Sequence, residues 1–308
     1  MPDPDFGQPR KENAKPAVQP GAFYVVGTPI GNLGDLTSRS AAVLESVDLV
    51  AAEDTRRTLQ LLNHLGLHQH LESYHAHNWQ VKGPQLADQM LSGRSVALVA
   101  DAGMPCISDP GEELVRLCVD RGIPVIIIPG PCAAIAGLAG SGLPTSRFVF
   151  EGFLPAAGKA RKERLAELAA EKRTVVFYEA PHRIRKTLAD LASSGLAQRR
   201  LTLGRELTKH HEEFIRVTVG DAIQYYQDLE PRGEYVLILE GQESFIQRCP
   251  GDSPAGSETE EKSRELLRAM LRDGLTVKDA VRRCQDVTGL RKNDLYQLAL
   301  SLQPEPKV

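Results

Sequence analysis

The chain has 308 residues, 42% hydrophobic and 25% charged, with a formal net charge of −3. That length exceeds what a single core usually serves, so two or more domains are expected. No run of about 18 apolar residues occurs, which excludes a membrane-spanning helix, and the near-balanced charge does not mark a nucleic-acid binder by itself. The charge is uneven along the chain, however: residues 154–216 carry 14 Lys/Arg against 8 Asp/Glu, and residues 261–308 carry 10 against 7. A basic second half is able to meet phosphate, although charged faces are most often plain solvated helix surface.

Residues 1–22 hold five prolines among charges without an apolar stretch, and read as a disordered leader rather than a signal peptide. Phe23-Tyr-Val-Val-Gly27 reads as a strand running into the Gly/Pro loop Thr28-Pro-Ile-Gly-Asn-Leu-Gly-Asp35. This loop lacks both the Gly-Lys-Ser/Thr ending of a P-loop and the GxGxxG spacing of a dinucleotide fingerprint. Thr37 caps the next helix, and a second short strand at 48–52 ends in Glu53-Asp-Thr-Arg-Arg57. Capping of the following helix by Asp54 explains part of that charged tip, but not the crowding of Glu53 and Arg56 there. His75, His77 and Trp79 read as loop residues, since one HxH does not establish a metal geometry.

The central stretch is Val96-Ala-Leu-Val-Ala-Asp-Ala-Gly-Met-Pro-Cys-Ile-Ser-Asp-Pro-Gly111. It reads as a buried parallel strand whose carboxyl end opens into a loop, with Asp109 as the N-cap and Pro110 as the first residue of the helix beyond. Ligands of open α/β sheets sit beyond such strand ends, which places Asp101 and the backbone around Gly103 to hold a small polar ligand. A further strand at 124–128 meets a Pro-Gly break before the small-residue helix 132–140, where a ligand or another backbone is able to approach closely. Leu143-Pro-Thr-Ser146 reads as a linker. Beyond it, strands at 148–153, 174–179, 201–205, 214–219 and 234–239 alternate with helices, two of the strand ends carrying Glu179 and Arg205-Glu-Leu-Thr-Lys209. Residues 242–262 read as a flexible linker. Three short amphipathic helices follow, either a helix-turn-helix unit or a packing and dimerisation module. The five cysteines show no CxxC spacing and read as free thiols of a cytoplasmic protein, and no metal site is expected.

These residues together resemble the tetrapyrrole-methylase-fold (class III) methyltransferases, and among them the branch that 2′-O-methylates a cytidine ribose of 16S ribosomal RNA. The matching stretches are Val25-Val-Gly-Thr-Pro-Ile-Gly-Asn-Leu-Gly-Asp-Leu-Thr37, Ala52-Glu-Asp-Thr-Arg56, the loop 101–111, Pro129-Gly-Pro131, Tyr178-Glu-Ala-Pro-His-Arg183 and Arg205-Glu-Leu-Thr-Lys209. The wider superfamily carries a GxGPG-like first loop and an SGDP-like central loop. Here Gly27-Thr-Pro-Ile-Gly31 and Asp101-Ala-Gly-Met-Pro105 stand instead, which counts against a tetrapyrrole ring as substrate.

The resemblance implies an α/β fold: two α/β domains of the tetrapyrrole-methylase type, at 23–143 and 146–241, with a small C-terminal three-helix module at 263–303. It implies S-adenosylmethionine bound in the cleft between the α/β domains, 16S rRNA or the small ribosomal subunit as partner, and a homodimer in the cytoplasm. The cofactor set it implies is Gly27, Asp101, Ala102, Gly103, Ser108, Pro131, Ala133 and Tyr178. Candidates for a base or a helping cation are Glu53, Glu179, Glu206 and Lys209, and the sequence leaves open for each the alternative of being half of a structural ion pair. Arg56, Arg183, Arg185 and Arg205 are the candidate phosphate contacts. A small-molecule methyltransferase on the same fold and a non-enzymatic nucleic-acid-binding regulator remain the alternatives.

Overall fold

The computed structural model describes residues 18–250, 254–288, 290 and 292–302. The leader expected at 1–22 therefore lies mostly outside the described residues. One compact unit ends at Glu240 and a second begins at Gly241.

The first half runs β1 (Phe23–Val26), α1 (Ser38–Ser46), β2 (Leu49–Ala52), α2 (Thr55–His64), β3 (Leu71–Ser73), α3 (Trp79–Leu91), β4 (Val96–Val99), α4 (Glu112–Asp120), β5 (Val125–Ile128) and α5 (Ala133–Ser141). Its five strands pair in parallel in the order β3-β2-β4-β1-β5. Side chains alternate across a strand, and the sheet divides its residues accordingly. Phe23, Val25, Leu49, Ala51, Val96 and Leu98 enter one apolar cluster. Tyr24, Val26, Val50, Ala52, Ala97 and Val99 enter another. Burial on both faces is why these strands read as unbroken apolar runs. Because all the strands are parallel, the loops after β1, β2, β4 and β5 gather at one edge.

The second half runs β6 (Phe148–Phe153), α6 (Gly158–Ala170), β7 (Thr174–Glu179), α7 (Ile184–Leu191), β8 (Arg200–Arg205), β9 (Glu213–Thr218), α8 (Val219–Tyr225) and β10 (Tyr235–Leu239). The sheet order is β6-β7-β10-β8-β9, with β6 and β7 parallel and the remaining pairs antiparallel. Helices α6, α7 and α8 cover one face, Leu165, Leu188 and Ala222 joining Phe177 of β7 in one apolar cluster.

The other face is covered by α5, which follows the last strand of the first sheet. Ala134 and Leu138 pack with Val176, Val236 and Ile238. A Cβ at Gly137 would lie 2.9 Å from Val236 Cγ1, so the small residues of α5 let it lie flat on the second sheet. The boundary expected at 143–146 is thus not a loose tether: Leu143 is buried and Thr174 Oγ1 donates to Pro144 O at 2.7 Å. One helix shared by two sheets makes them a single unit.

Two further expectations need correction. Residues 242–262 are not a featureless linker, since α9 (Gln242–Arg248) and α10 (Pro254–Arg272) occupy most of the stretch. Its Gly/Ser/Glu content hid the helical pattern. Asp109 is not the N-cap of α4: that position is Gly111, at φ 137°. In the second unit α10 packs with α11 (Val277–Thr288) and α12 (Lys292–Ser301) around Leu267, Val281, Cys284, Leu295 and Ala299. Thr276 accepts from Asp279 N at 3.2 Å, as its capping spacing suggests. Among the described residues no helix is long and apolar enough to cross a membrane.

Candidate active site

The loop from Asp101 to Gly111 is anchored at its start by a two-way backbone bridge. Thr28 N donates to Gly103 O at 2.9 Å and Gly103 N to Thr28 O at 3.1 Å. Beneath it Gly27 and Gly130 touch backbone to backbone: a Cβ at Gly27 would lie 2.7 Å from Gly130 Cα and from Met104 Sδ. The chain then passes through left-handed conformations at Cys106 (φ 71°) and Ser108 (φ 67°) before Gly111. A side chain at Gly111 would meet Leu98 Cδ2 at 2.5 Å, so only glycine fits there. Strained non-glycine backbone of this kind persists where the surroundings over-determine it, commonly at ligand sites. The facing loop repeats the feature, with Glu206 at φ 50° and Thr208 at φ 66°.

The second wall comes from the end of β7. The Tyr178 hydroxyl accepts from Ala134 N at 3.2 Å at the start of α5, and its ring packs edge-on against Phe150 at 5.2 Å. Phe153, half exposed, lies 5.5 Å from the same ring. A bulge in β6 between Phe150 and Phe153 brings Gly152 close to Ser108 Oγ, at 3.1 Å from where a Cβ would stand. Between the walls lies a cavity of about 320 Å³. It is framed by Ala102, Gly103, Ser108 and Asp109 on one side, Tyr178 to Pro181 on another, and Leu207 with Glu234 to Val236 on a third; Ile30, Met104, Ile107, Cys132 and Ala133 close the remainder. The lining is chiefly apolar with a few polar groups, as in sites for small ligands.

The cavity gathers six of the expected residues: Ala102, Gly103, Ser108, Ala133, Tyr178 and Glu179. Gly27 lies below it as a packing glycine, and Pro131 contributes a carbonyl 3.4 Å from a Cβ built at Gly103. Asp101 turns away from the cavity. Its Oδ1 accepts from Asp54 N at 3.0 Å and its Oδ2 pairs with Arg57 at 3.3 Å, beside a second cavity of about 360 Å³ also lined by Thr28 and His64. Glu53 Oε2 accepts from Asp101 N at 3.3 Å.

Glu179 shows the structural side of its two possible roles. Its side chain is fully enclosed: Oε2 accepts from Thr187 Oγ1 at 2.6 Å, and Oε1 accepts from Ala180 N at 3.0 Å and pairs with Arg183 at 3.1 Å. Thr187 in turn accepts from the buried Arg161 at 2.9 Å. Glu206 and Lys209 form a cluster with Glu234, Lys209 Nζ lying 3.0 Å from Glu206 and 2.9 Å from Glu234. Desolvation works against the Lys209 charge, but its bonds to Glu234 and Glu206 outweigh that and hold the ammonium above its ordinary range.

Three of the four expected phosphate contacts also bond to the protein's own backbone. Arg183 Nη2 donates to Leu154 O at 2.6 Å, Arg185 Nε to Tyr226 O at 3.0 Å and Arg205 Nε to Arg232 O at 2.8 Å. Their acceptors are carbonyls left over at loop and helix ends, which are invisible in a linear sequence. Arg56 pairs with Asp54 at 2.7 Å and stays 87% exposed.

Asp109 also lines the cavity, a place the sequence reading did not give it because Asp-Pro-Gly imitates a helix start. Its carboxyl is pushed up to about 7 by burial and then by the charges of Glu53 and Asp101. Burial, and then the charges of Asp109, Glu112 and Glu113, push the Cys106 thiol up to about 11. Burial likewise raises the Tyr178 phenol above its ordinary range, so the hydroxyl stays neutral.

The paired sheets with a cleft at their strand ends define a class. The family profile described as Tetrapyrrole (Corrin/Porphyrin) Methylases matches residues 22–223, and the chain belongs to that family. Solved structures agree on the fold: a cobalt precorrin-4 methyltransferase (TM-score 0.55, 17% identity, covering 71% of this chain and 95% of that one), and a Thermus thermophilus uroporphyrin-III C-methyltransferase complexed with S-adenosyl homocysteine (0.51, 20%, 73% and 99%). A second profile, described as RsmI C-terminal HTH domain, matches residues 257–303. The chain is 46% identical over 285 residues to the ribosomal RNA small subunit methyltransferase I of Synechocystis sp., covering 92% of this chain and 99% of that one. It is 43% identical over 285 residues to the Escherichia coli O157:H7 protein of the same name, covering 92% and 96%. Within the wider family it therefore belongs with the small subunit methyltransferases I.

Proposed function

We propose that this chain is an S-adenosylmethionine-dependent methyltransferase acting on the 2′-oxygen of a cytidine ribose in 16S rRNA of the small ribosomal subunit. The observation that carries this reading is the cavity between the Asp101–Gly111 loop and the end of β7, in a chain that shares nearly its full length with small subunit rRNA methyltransferases. Its volume lies at the lower end of the range for small-molecule sites and suits a folded nucleoside. Backbone at Ala102 and Ala133 offers polar contacts, Ser108 a hydroxyl, and Ile30, Met104 and Leu207 apolar surface for a purine and a methyl group. When bound, the sulfonium supplies an electrophilic methyl group.

This chain's residues must hold the donor on a line with the acceptor oxygen, and orientation of this kind is worth ~7–11 kcal/mol of barrier. Glu53 is the candidate to draw the proton from the acceptor hydroxyl. Lys209, held charged, suits electrostatic support better than proton removal, and Glu206 with Glu234 fixes its position. Arg56 is the expected phosphate contact that keeps its guanidinium mostly in solvent. A second copy of the chain is the expected partner in solution.

The test is incubation with methyl-labelled S-adenosylmethionine and either small ribosomal subunits or naked 16S rRNA, followed by digestion to nucleosides. Label in 2′-O-methylcytidine supports the reading. Label on a base, or on a free small acceptor only, refutes it.

A further inference from the structure

We propose that Asp109 is the residue by which the cavity tells a cationic ligand from its neutral counterpart, its carboxylate holding a sulfonium donor and releasing the thioether that remains after transfer. The inference rests on the cofactor reading above and names a residue for it.

Three acidic residues line the cavity, and two are spoken for. The Glu179 carboxylate is enclosed and paired with Arg183, and Glu234 is paired with Lys209. Asp109 stands apart: among the described residues no hydrogen bond or ion pair engages its carboxyl. A half-buried carboxyl in a well-packed protein normally has a partner, and one without any is an open position for a ligand.

The groups facing Asp109 sharpen what that ligand must be. From the tips of β2 and β4 come Glu53 and Asp101, and both act to raise its proton affinity. From its own loop comes the neutral thiol of Cys106, with Glu112 and Glu113 behind it. From β7 comes the neutral Tyr178 hydroxyl, and the thiol of Cys132 closes the floor. The nearby cation Arg57 is already drawn to Asp101. The wall is therefore short of positive charge, and a carboxyl so placed is half protonated near neutrality in the free protein. A ligand bringing one positive charge favours the ionised form, and the proton passes to the buffer. A neutral thioether brings none, so the same carboxyl has no reason to hold it. Methyl transfer converts the first kind of ligand into the second, which makes the residue a device for product release as well as for donor choice.

The full chain and its Asp109→Asn and Asp109→Ala variants are titrated calorimetrically with S-adenosylmethionine, with S-adenosylhomocysteine and with sinefungin, which carries an ammonium near the position of the sulfonium methyl. The expected result is a loss of about tenfold in affinity for the two cationic ligands in both variants, the scale of one partly buried charge pair, with S-adenosylhomocysteine changed by less than about twofold. In the unaltered chain, S-adenosylmethionine affinity rises from pH 6 to pH 8 with proton release, seen by comparing buffers of different ionisation enthalpy, and both effects vanish in Asp109→Asn. Equal losses for all three ligands, or no loss, overturn the proposal while leaving the cofactor reading intact. Failure of the unaltered chain to bind any of the three withdraws both.

Discussion

Replacing Glu179 by Gln separates a carboxylate that builds the cavity from one that reacts in it. The side chain is sealed from solvent, accepts hydrogen bonds from Thr187 Oγ1 and Ala180 N, and is ion-paired with Arg183. A glutamine of the same shape must turn an amino group toward one of these donors. If it faces Arg183 and Ala180, two donors lose their acceptor. If it faces Thr187, the hydroxyl that already accepts from Arg161 has no place for its own proton. Hydrogen bonds to a charged group contribute about 1.5–3 kcal/mol each, and breaking a buried pair costs about 3–5 kcal/mol. Arg183 keeps roughly a fifth of its side chain in water, which favours the lower end, near ~3 kcal/mol. For a unit of this size each kcal/mol moves the melting midpoint by about 2–4 °C, so a fall of about 6–12 °C is expected. The assay pairs thermal unfolding with turnover on ribosomal substrate at a temperature where both proteins are folded. Turnover per folded molecule should drop by less than about tenfold. An unchanged midpoint with a hundredfold loss of turnover would refute the structural role and return Glu179 to the list of reacting groups.

Glu53→Ala should cut turnover far more than S-adenosylmethionine affinity, measured by single-turnover kinetics beside calorimetry; equal losses in both would end its candidacy as the base. Gly27→Ala forces a methyl group to within 2.7 Å of the Gly130 backbone and Met104 Sδ, and should cost about 1–3 kcal/mol in urea unfolding while weakening ligand binding as Met104 is pushed. Asp109 has its folded pKa raised to about 7 from an ordinary 3.8. The folded protein therefore holds the extra proton, and stability from this group is full below about pH 4 and lost as pH rises through 7; the melting midpoint of Asp109→Asn should lack that decline. Glu171 has the opposite sign: its hydrogen bond to Arg173 holds its carboxyl down at about 2, so its contribution is present above pH 4.5 and lost as pH falls through 2. Arg173→Ala should accordingly make acid unfolding begin at higher pH.

The parallel sheet was legible because its strands are buried on both faces and so write themselves as apolar runs, Val96 to Val99 above all. The resemblance implied Gly103, Ser108 and Tyr178 together, and the fold brings these three to one cavity, whereas the strand-end acid Asp101 turns away from it. Partnerships were not legible. Arg183, Arg185 and Arg205 look alike in sequence to arginines that wait for phosphate, yet each donates to a carbonyl some 27–41 residues distant. Whether a cation is free depends on which backbone acceptors the fold leaves without a bond, and that is settled only when all elements are in place.

The same blindness works in reverse for Asp109. Local pattern offers it a capping role, since Asp-Pro is a common way to begin a helix. The role fails because the loop must reach Gly111 before its backbone can turn into α4, held there by the close approach of Leu98 and Cys106. Moving the cap by two residues strips the carboxyl of the amide it would have bonded and leaves it in the cavity wall without a partner. A backbone constraint at one glycine thus decides whether a nearby acid caps a helix or faces a cavity. Residues of this kind are better sought where a strong local signal is overridden than where it is obeyed.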